Sequence, residues 1–464
     1  MDRMSPLDAS FLHIEDDKNH MHIASVAVFE GPAPTYRALV ERIAGKLPLV
    51  PRYRQKVRFV PLNLGRPVWV DDPHFNVEYH VRHTALPPPG GADQLRNLVG
   101  RVMSQQLDRS MPLWAVWMIE GLEDGNFALA SKTHHCMVDG IAGTDLLAVI
   151  LDIEPEPDRS PPDDAWRPAE GPSDLRLIAD AMSDVIVKPY EQIRVARAAL
   201  RRPRQLVDTA RTLARGFGSA AGVIRASPSG DALNGPIGPH RRWDWARATL
   251  ADVKAVRAGL GGTVNDVVLA AITRGFRDLL ISRGEDVDGM TVRTMVPVSV
   301  RTQSERGTYN NKVSAMFAEL PVGIADPVER LDAIRAQMDG LKESQQAVAG
   351  EVLTSLSGFA PPMLLALGGR LMSRVNQRNI NTVTTNVPGP QFPLYAVGRR
   401  MLDAYPFVPI QGSVRIGIAI FSYCGQLNFG ITGDWETVRD LHVLANGIEE
   451  GIIELCKASA DSPR

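Results

Sequence analysis

Residues 131–140 read SKTHHCMVDG, which sets His134, His135, Asp139 and Gly140 within seven positions, directly after a strand-like run. Such a group can bind a metal, brace a core or move a proton. Consecutive residues of a strand point to opposite faces, so His134 and His135 do not readily chelate one ion. His20 and His22 of "NHMH" do share a face, but no third ligand lies nearby in sequence and there is no H-E-x-x-H, so no metal is expected. A buried imidazole bonded to a backbone carbonyl is the common structural role. Position favours the third option, because strand ends of α/β folds are where ligands bind. Imidazole, with a pKa of about 6.5, can accept a proton at neutral pH and give it back. Asp139 stands four residues beyond His135, close enough to organise the loop, and Gly140 adds backbone freedom at the entry to an apolar helix.

The elements that must hold this group read as an interleaved α/β pattern. Residues 22–30, HIASVAVFE, form a β-branched, uninterrupted strand, and 36–47 have helical spacing. Short strands follow, then a helix over 93–107 and two strands at 113–121 and 126–135 that lead into the histidines. Residues 140–153 look helical. A mixed sheet with helices packed against it is the expected result.

Composition then changes. EPEPDRSPPDDAWRPAEGP (154–172) reads as an exposed connector, and a helical tract over about 174–225 follows it. Between Lys188 and Arg225 nine Lys/Arg face two acidic residues, a local excess that suits either a solvated crossover or a surface drawn to anionic headgroups. From about 234 a second α/β region begins. Thr263 and Asp266 frame a capping-box-like helix start. The Pro-Gly pair in TNVPGP (385–390) suggests a type II turn with Gly389 at positive φ. The expected domains are therefore 1–155 with the histidine motif, 156–233 as linker and basic helical crossover, and 234–464 as a second half.

Bulk properties narrow the function. A net charge of −2 over 464 residues argues against a nucleic-acid partner. Cys136, Cys424 and Cys456 are far apart and odd in number, so no disulfide framework is expected and a cytoplasmic location is the simplest. No Lys or Arg lies within the five residues around Cys136 to activate its thiol. No basic segment followed by an apolar stretch marks the N-terminus, and no run of about 18 apolar residues occurs, so any membrane contact would be peripheral. The chain has no G-x-S-x-G elbow, and GFGSAA (216–221) follows a helical tract rather than a strand, which argues against a dinucleotide fingerprint.

The HHxxxDG pattern resembles that of acyl-CoA-dependent acyltransferases with the chloramphenicol acetyltransferase fold. Companion segments narrow the likeness: MSPLDASFLHIE (4–15), MHIASVAVFEGP (21–32), Pro112-Leu113-Trp114, NGPIGPHRR (234–242), NDVVLA (265–270), VPVSVR (296–301) and TNVPGP. In that order they resemble the bacterial wax ester synthase/diacylglycerol acyltransferase family. The resemblance implies two chloramphenicol acetyltransferase-like domains, each a mixed sheet with flanking helices, joined by a helical crossover. It implies acyl transfer from acyl-CoA, as co-substrate with no separate cofactor, to diacylglycerol or a long-chain alcohol. His135 would be the general base, with His134, Asp139 and Gly140 in support. Asn265, Asp266 and Glu15 become candidates for substrate contact, although Asp266 also fits an ordinary helix start and Glu15 an exposed surface residue. Pro112 and Trp114 read as core packing. Peripheral contact with the inner membrane face or lipid inclusions would fit the substrates. A carrier-protein-dependent acyltransferase and an inactive lipid-binding protein are the alternatives.

Overall fold

Two runs of β-branched and apolar residues on either side of the histidine motif build two separate sheets. The computed structural model describes residues 2–137, 149–156, 166–183, 230–299, 313–343 and 379–461. In chain order the N-terminal strands are β1 (Asp2–Arg3), β2 (His22–Phe29), β3 (Gln55–Arg58), β4 (Val68–Asp71), β5 (Val81–Ala85), β6 (Trp114–Glu120) and β7 (Phe127–His134). Then come β8 (Arg241–Thr249), β9 (Val292–Ser299), β10 (Val313–Leu320), β11 (Thr382–Val387), β12 (Tyr395–Ala396), β13 (Arg399–Phe407), β14 (Ile416–Tyr423) and β15 (Gln426–Asp434). Helices packed on them include α1 (Pro6–Ile14), α2 (Tyr36–Lys46), α3 (Ala92–Met103), α4 (Leu250–Leu260), α5 (Val264–Ser282), α6 (Pro327–Glu343) and α7 (Leu441–Asp461).

The first sheet runs β12-β13-β2-β7-β6-β5 and the second β10-β9-β11-β14-β15-β8, with a small β1-β4-β3 sheet at the side. Both large sheets are mixed: β5 lies parallel to β6, and β11 is parallel to β9 and β14, while the other neighbours are antiparallel. β7 is buried along its whole length because both faces are covered. Leu39 and Ile43 of α2 join Phe127 and Leu129 on one face. On the other face, Leu95, Val99 and Val102 of α3 pack with Ala128, Ala130, Trp243 and Tyr405.

The first sheet is not made by the first part of the chain alone. β12 and β13, more than 250 residues beyond β7, complete it, and Met401 to Phe407 pair with Phe29 to Ala24 across a bulge. A division at 155 and 234 does not anticipate this exchange, because a strand's own pattern shows which face is buried but not which sheet it joins. The basic tract of 188–225 and residues 300–301 of VPVSVR lie outside the described residues.

Local signals behave as chemistry demands. Ser5 caps α1 through the Asp8 N–H, and the Thr263–Asp266 capping box forms in full at α5. One turn reading fails: Gly389 is not among the residues with positive φ. Its small size serves close approach instead, since a Cβ there would stand 2.1 Å from the Ser422 carbonyl oxygen and 2.4 Å from the Phe421 ring. Trp114 is core, as expected: its indole donates to the Tyr53 carbonyl at 2.8 Å and its ring stacks on His80 at 4.4 Å.

The sheets touch where β15 passes β13. A Cβ on Gly430 would lie 1.6 Å from the Pro406 carbonyl oxygen, a backbone atom that cannot step aside. We therefore expect Gly430→Ala to lower unfolding stability by about 1–3 kcal/mol through overpacking, measured by denaturant titration. An unchanged midpoint would mean that the two sheets separate without cost.

Candidate active site

The two histidines diverge at the end of β7. His134 is its last strand residue, paired with His22 of β2, and His135 opens a one-turn 3-10 helix, His135–Met137. The main chain holds the junction: His134 N–H donates to Leu113 at 2.9 Å and His135 N–H to Met21 at 2.8 Å.

His134 is fully buried and already engaged. Its Nδ1 accepts the Cys136 N–H at 3.1 Å, so the ring proton sits on Nε2, which lies 3.4 Å from Glu15 Oε2. Glu15 caps the C-terminus of α1 and is buried rather than exposed. Its Oε1 accepts the Met21 N–H at 3.3 Å and stands 3.2 Å from His22 Nε2. Arg109 meets Oε2 through Nε at 3.0 Å and Nη2 at 2.7 Å, and also donates to the Leu12 carbonyl at 3.0 Å. Burial alone would raise the Glu15 carboxyl, but His134 and His22 outweigh it and hold the group well below the usual carboxylate range. Burial pushes His22 down to about 3, so it is a neutral partner at physiological pH.

His135 stands apart from this cluster. It is partly exposed, and its ring packs on Phe11 of α1 with centroids 4.0 Å apart. Nδ1 is sealed from solvent, which leaves Nε2 as the nitrogen able to meet a substrate. Burial pushes the imidazole down to about 4, a contact with its own main chain recovering part of the loss. It is thus an uncharged proton acceptor across the neutral range.

The other candidates scatter. Asp139 and Gly140 lie outside the described residues. Asp266 is held by its own helix, its Oδ2 accepting the Thr263 N–H at 2.7 Å as an N-terminal cap does, while its buried Oδ1 has no hydrogen-bond partner among the described residues. Asn265 is exposed and accepts from the Asn386 side chain at 2.7 Å, tying the start of α5 to β11 and its TNVPGP segment. Neither contact reaches the histidines. Arg109, His22 and Phe11 were missed. His22 was visible only as half of the NHMH pair; Arg109 lies 94 residues from Glu15, and nothing local marks it. Among the described residues no group of three His, Cys, Asp or Glu converges to hold a metal ion.

Chemically, the arrangement offers one buried, fixed histidine and one neutral, accessible histidine at a strand end. Removing the carboxylate should unseat the former. We expect Glu15→Gln to lose about 1–3 kcal/mol of stability, less than a fully sealed ion pair would, because Arg109 keeps 36% of its side chain in solvent. Urea melts of wild type and variant measure this; identical curves would show that the cluster adds nothing to stability.

Comparison with known proteins identifies the family. Residues 4–268 match the wax ester synthase/diacylglycerol acyltransferase catalytic domain, and residues 309–456 the WS/DGAT C-terminal domain. A Mycobacterium tuberculosis protein with the name "Probable diacylglycerol O-acyltransferase" is 38% identical over 474 residues, covering 99% of this chain and 96% of its own. Among solved structures, a wax ester synthase/diacylglycerol acyltransferase from Marinobacter aquaeolei VT8 aligns with a TM-score of 0.69 at 25% identity, over 99% of this chain and all of that one. The first condensation domain of the calcium-dependent antibiotic synthetase aligns at 0.59 with 14% identity, over 100% of this chain and 97% of that one, a likeness of fold alone.

Proposed function

The chain belongs to the wax ester synthase/diacylglycerol acyltransferase family, and from that premise we propose how its residues carry out acyl transfer from acyl-CoA to diacylglycerol. The enzyme is an O-acyltransferase. Long-chain alcohols, which would give wax esters, are proposed as further acceptors.

The observation that carries the mechanism is the division of labour between adjacent histidines. His134 is fully buried, with Nδ1 accepting the Cys136 N–H and Nε2 facing Glu15 at 3.4 Å, whereas His135 is partly exposed and neutral, with Nδ1 sealed, so Nε2 is assigned to the substrate. His135 Nε2 takes the proton of the acceptor hydroxyl as its oxygen attacks the thioester carbon, giving a tetrahedral oxyanion. Collapse of that intermediate breaks the C–S bond and releases the CoA thiolate, to which the imidazolium returns the proton. Asp139 and Gly140 are assigned the supporting role that the HHxxxDG pattern implies.

Transfer is direct, without an acyl-enzyme. Burial pushes the Cys136 thiol well above its ordinary value, so the cysteine beside the histidines is a poor nucleophile. Acyl-CoA serves as co-substrate, and no step asks for a further cofactor. Among the described residues no single helix is long and apolar enough to cross a membrane; the bent pair α4–α5 passes on length and composition, but its apolar residues fill the core of the second half. A water-insoluble acceptor favours peripheral contact with a membrane face or lipid inclusion.

Release of CoA thiol from palmitoyl-CoA in the presence of diacylglycerol tests the reading. His135→Ala should lower kcat by about 10²–10⁴-fold, the usual worth of a general base. His134→Ala should cost less turnover and more stability. Equal turnover in wild type and His135→Ala would remove the proposed base.

The pH profile is a separate test. A depressed pKa leaves the free base present until pH falls through it, so kcat/KM should stay level from pH 8 down to 5 and decline only towards 4. An acid limb centred at the ordinary value of about 6.5 would show that the ring is solvated as in water.

A further inference from the structure

Lys132 is the only lysine in the buried class among the described residues, and the mechanism leaves it unused. It lies two residues before His134, so both side chains leave β7 on the same face. Its Nζ donates to the Val102 carbonyl at 2.9 Å and also to the Gln105 carbonyl. These oxygens belong to the exit of α3, where the last carbonyls of a helix lack intrahelical donors and carry the negative end of its dipole.

The turn that leaves α3 supplies the clamp behind the histidines. Arg109 holds both Glu15 and the Leu12 carbonyl. From the second half, Arg241 N–H reaches Ser104 Oγ at 2.8 Å, fixing the same turn to β8. The contacts close a ring. β7 holds the turn through Lys132, the turn holds α1 through Arg109, and α1 returns to β7 where Phe11 packs on His135 and Glu15 faces His134.

We propose that Lys132 is a positioning residue for acyl transfer: by tying off the end of α3 it sets the 104–109 turn, and through that turn the place of α1 against His135. The proposal rests on His135 as the base. An apolar side chain of similar length would fill the space but withdraw both donors: the Val102 carbonyl would keep only main-chain N–H partners, Gln105 at 3.3 Å among them, and the Gln105 carbonyl would lose its lysine donor, so the turn would shift. Burial pushes the ammonium down to about 7, yet the neutral amine still has two N–H groups for the two carbonyls, so the tie holds in either state.

The experiment compares Lys132→Met and Lys132→Arg with the wild-type full chain, using palmitoyl-CoA with diacylglycerol and amide hydrogen exchange over residues 104–109. Small misplacements of catalytic groups cost up to about 100-fold. We expect Lys132→Met to lose about 10- to 100-fold in kcat, to keep its KM for acyl-CoA within about twofold, and to exchange faster at 104–109. Lys132→Arg, which keeps donors and charge, should recover most of the turnover. A folded Lys132→Met with kcat within twofold of wild type would overturn the proposal, as would kcat and KM moving together with no recovery in Lys132→Arg. If Lys132→Met does not fold, Lys132→Gln takes its place, and unchanged exchange at 104–109 then counts against the tie. Should wild type itself release no CoA, the proposed reaction fails separately, and the exchange measurement still decides whether Lys132 holds the turn.

Discussion

A carboxylate deprived of water organises this structure. Glu15 sits where α1 ends, and its two oxygens are met by His134, His22, Arg109 and a backbone N–H. The partners come from three further places: the end of β7, the start of β2, which gives both His22 and the Met21 N–H, and the turn beyond α3. A buried charge is tolerable only when its partners stand close and well directed, so the folded state admits few arrangements of these four elements. The turn that carries His135 inherits that restriction, because His135 follows His134 directly and rests on the same helix that carries Glu15.

The rest of the fold reads as support for this junction. β7 is central in its sheet, with β2 and β6 at its sides and helices over both faces, so its end cannot drift. The strand that flanks β2 on the other side comes from residues 399–407, and the face over β7 is shared with Trp243 and Tyr405. Both halves of the chain thus determine where one imidazole stands.

Much of this was legible from residues alone, and the reason differs by element. The strand leading into HHxxxDG, the Thr263 cap and the mixed sheets follow from periodicity and short-range side-chain chemistry. Those signals are local, and local rules carry them. Glu15 illustrates the limit. In sequence it precedes a run of charged and polar residues, EDDKNH, and reads equally as a surface carboxylate. Its burial depends on Arg109 arriving from a turn 94 residues away, and no short pattern announces that arrival. Gly389 shows the converse: a familiar dipeptide suggested a turn geometry, whereas the close passage of β14 residues set the requirement.

The doubling of the histidine is best understood through the alternation of a strand. Neighbouring residues leave a strand on opposite sides, so one ring turns inward and meets fixed partners while the next emerges where the strand stops. An inward ring with its proton locked on Nε2 is useless as a base, since its lone pair already accepts the Cys136 N–H. It is suited to anchoring, because it is fully buried between the Cys136 N–H and the Glu15 carboxylate, which stands 3.4 Å from Nε2. The outward ring needs the opposite: an open nitrogen, a neutral state and a rigid backing, here given by Phe11. Rigidity matters because a base that must find its hydroxyl anew at each turnover forfeits the advantage of proximity. Two adjacent imidazoles therefore do different work for one reason: the first is held so that the second need not be.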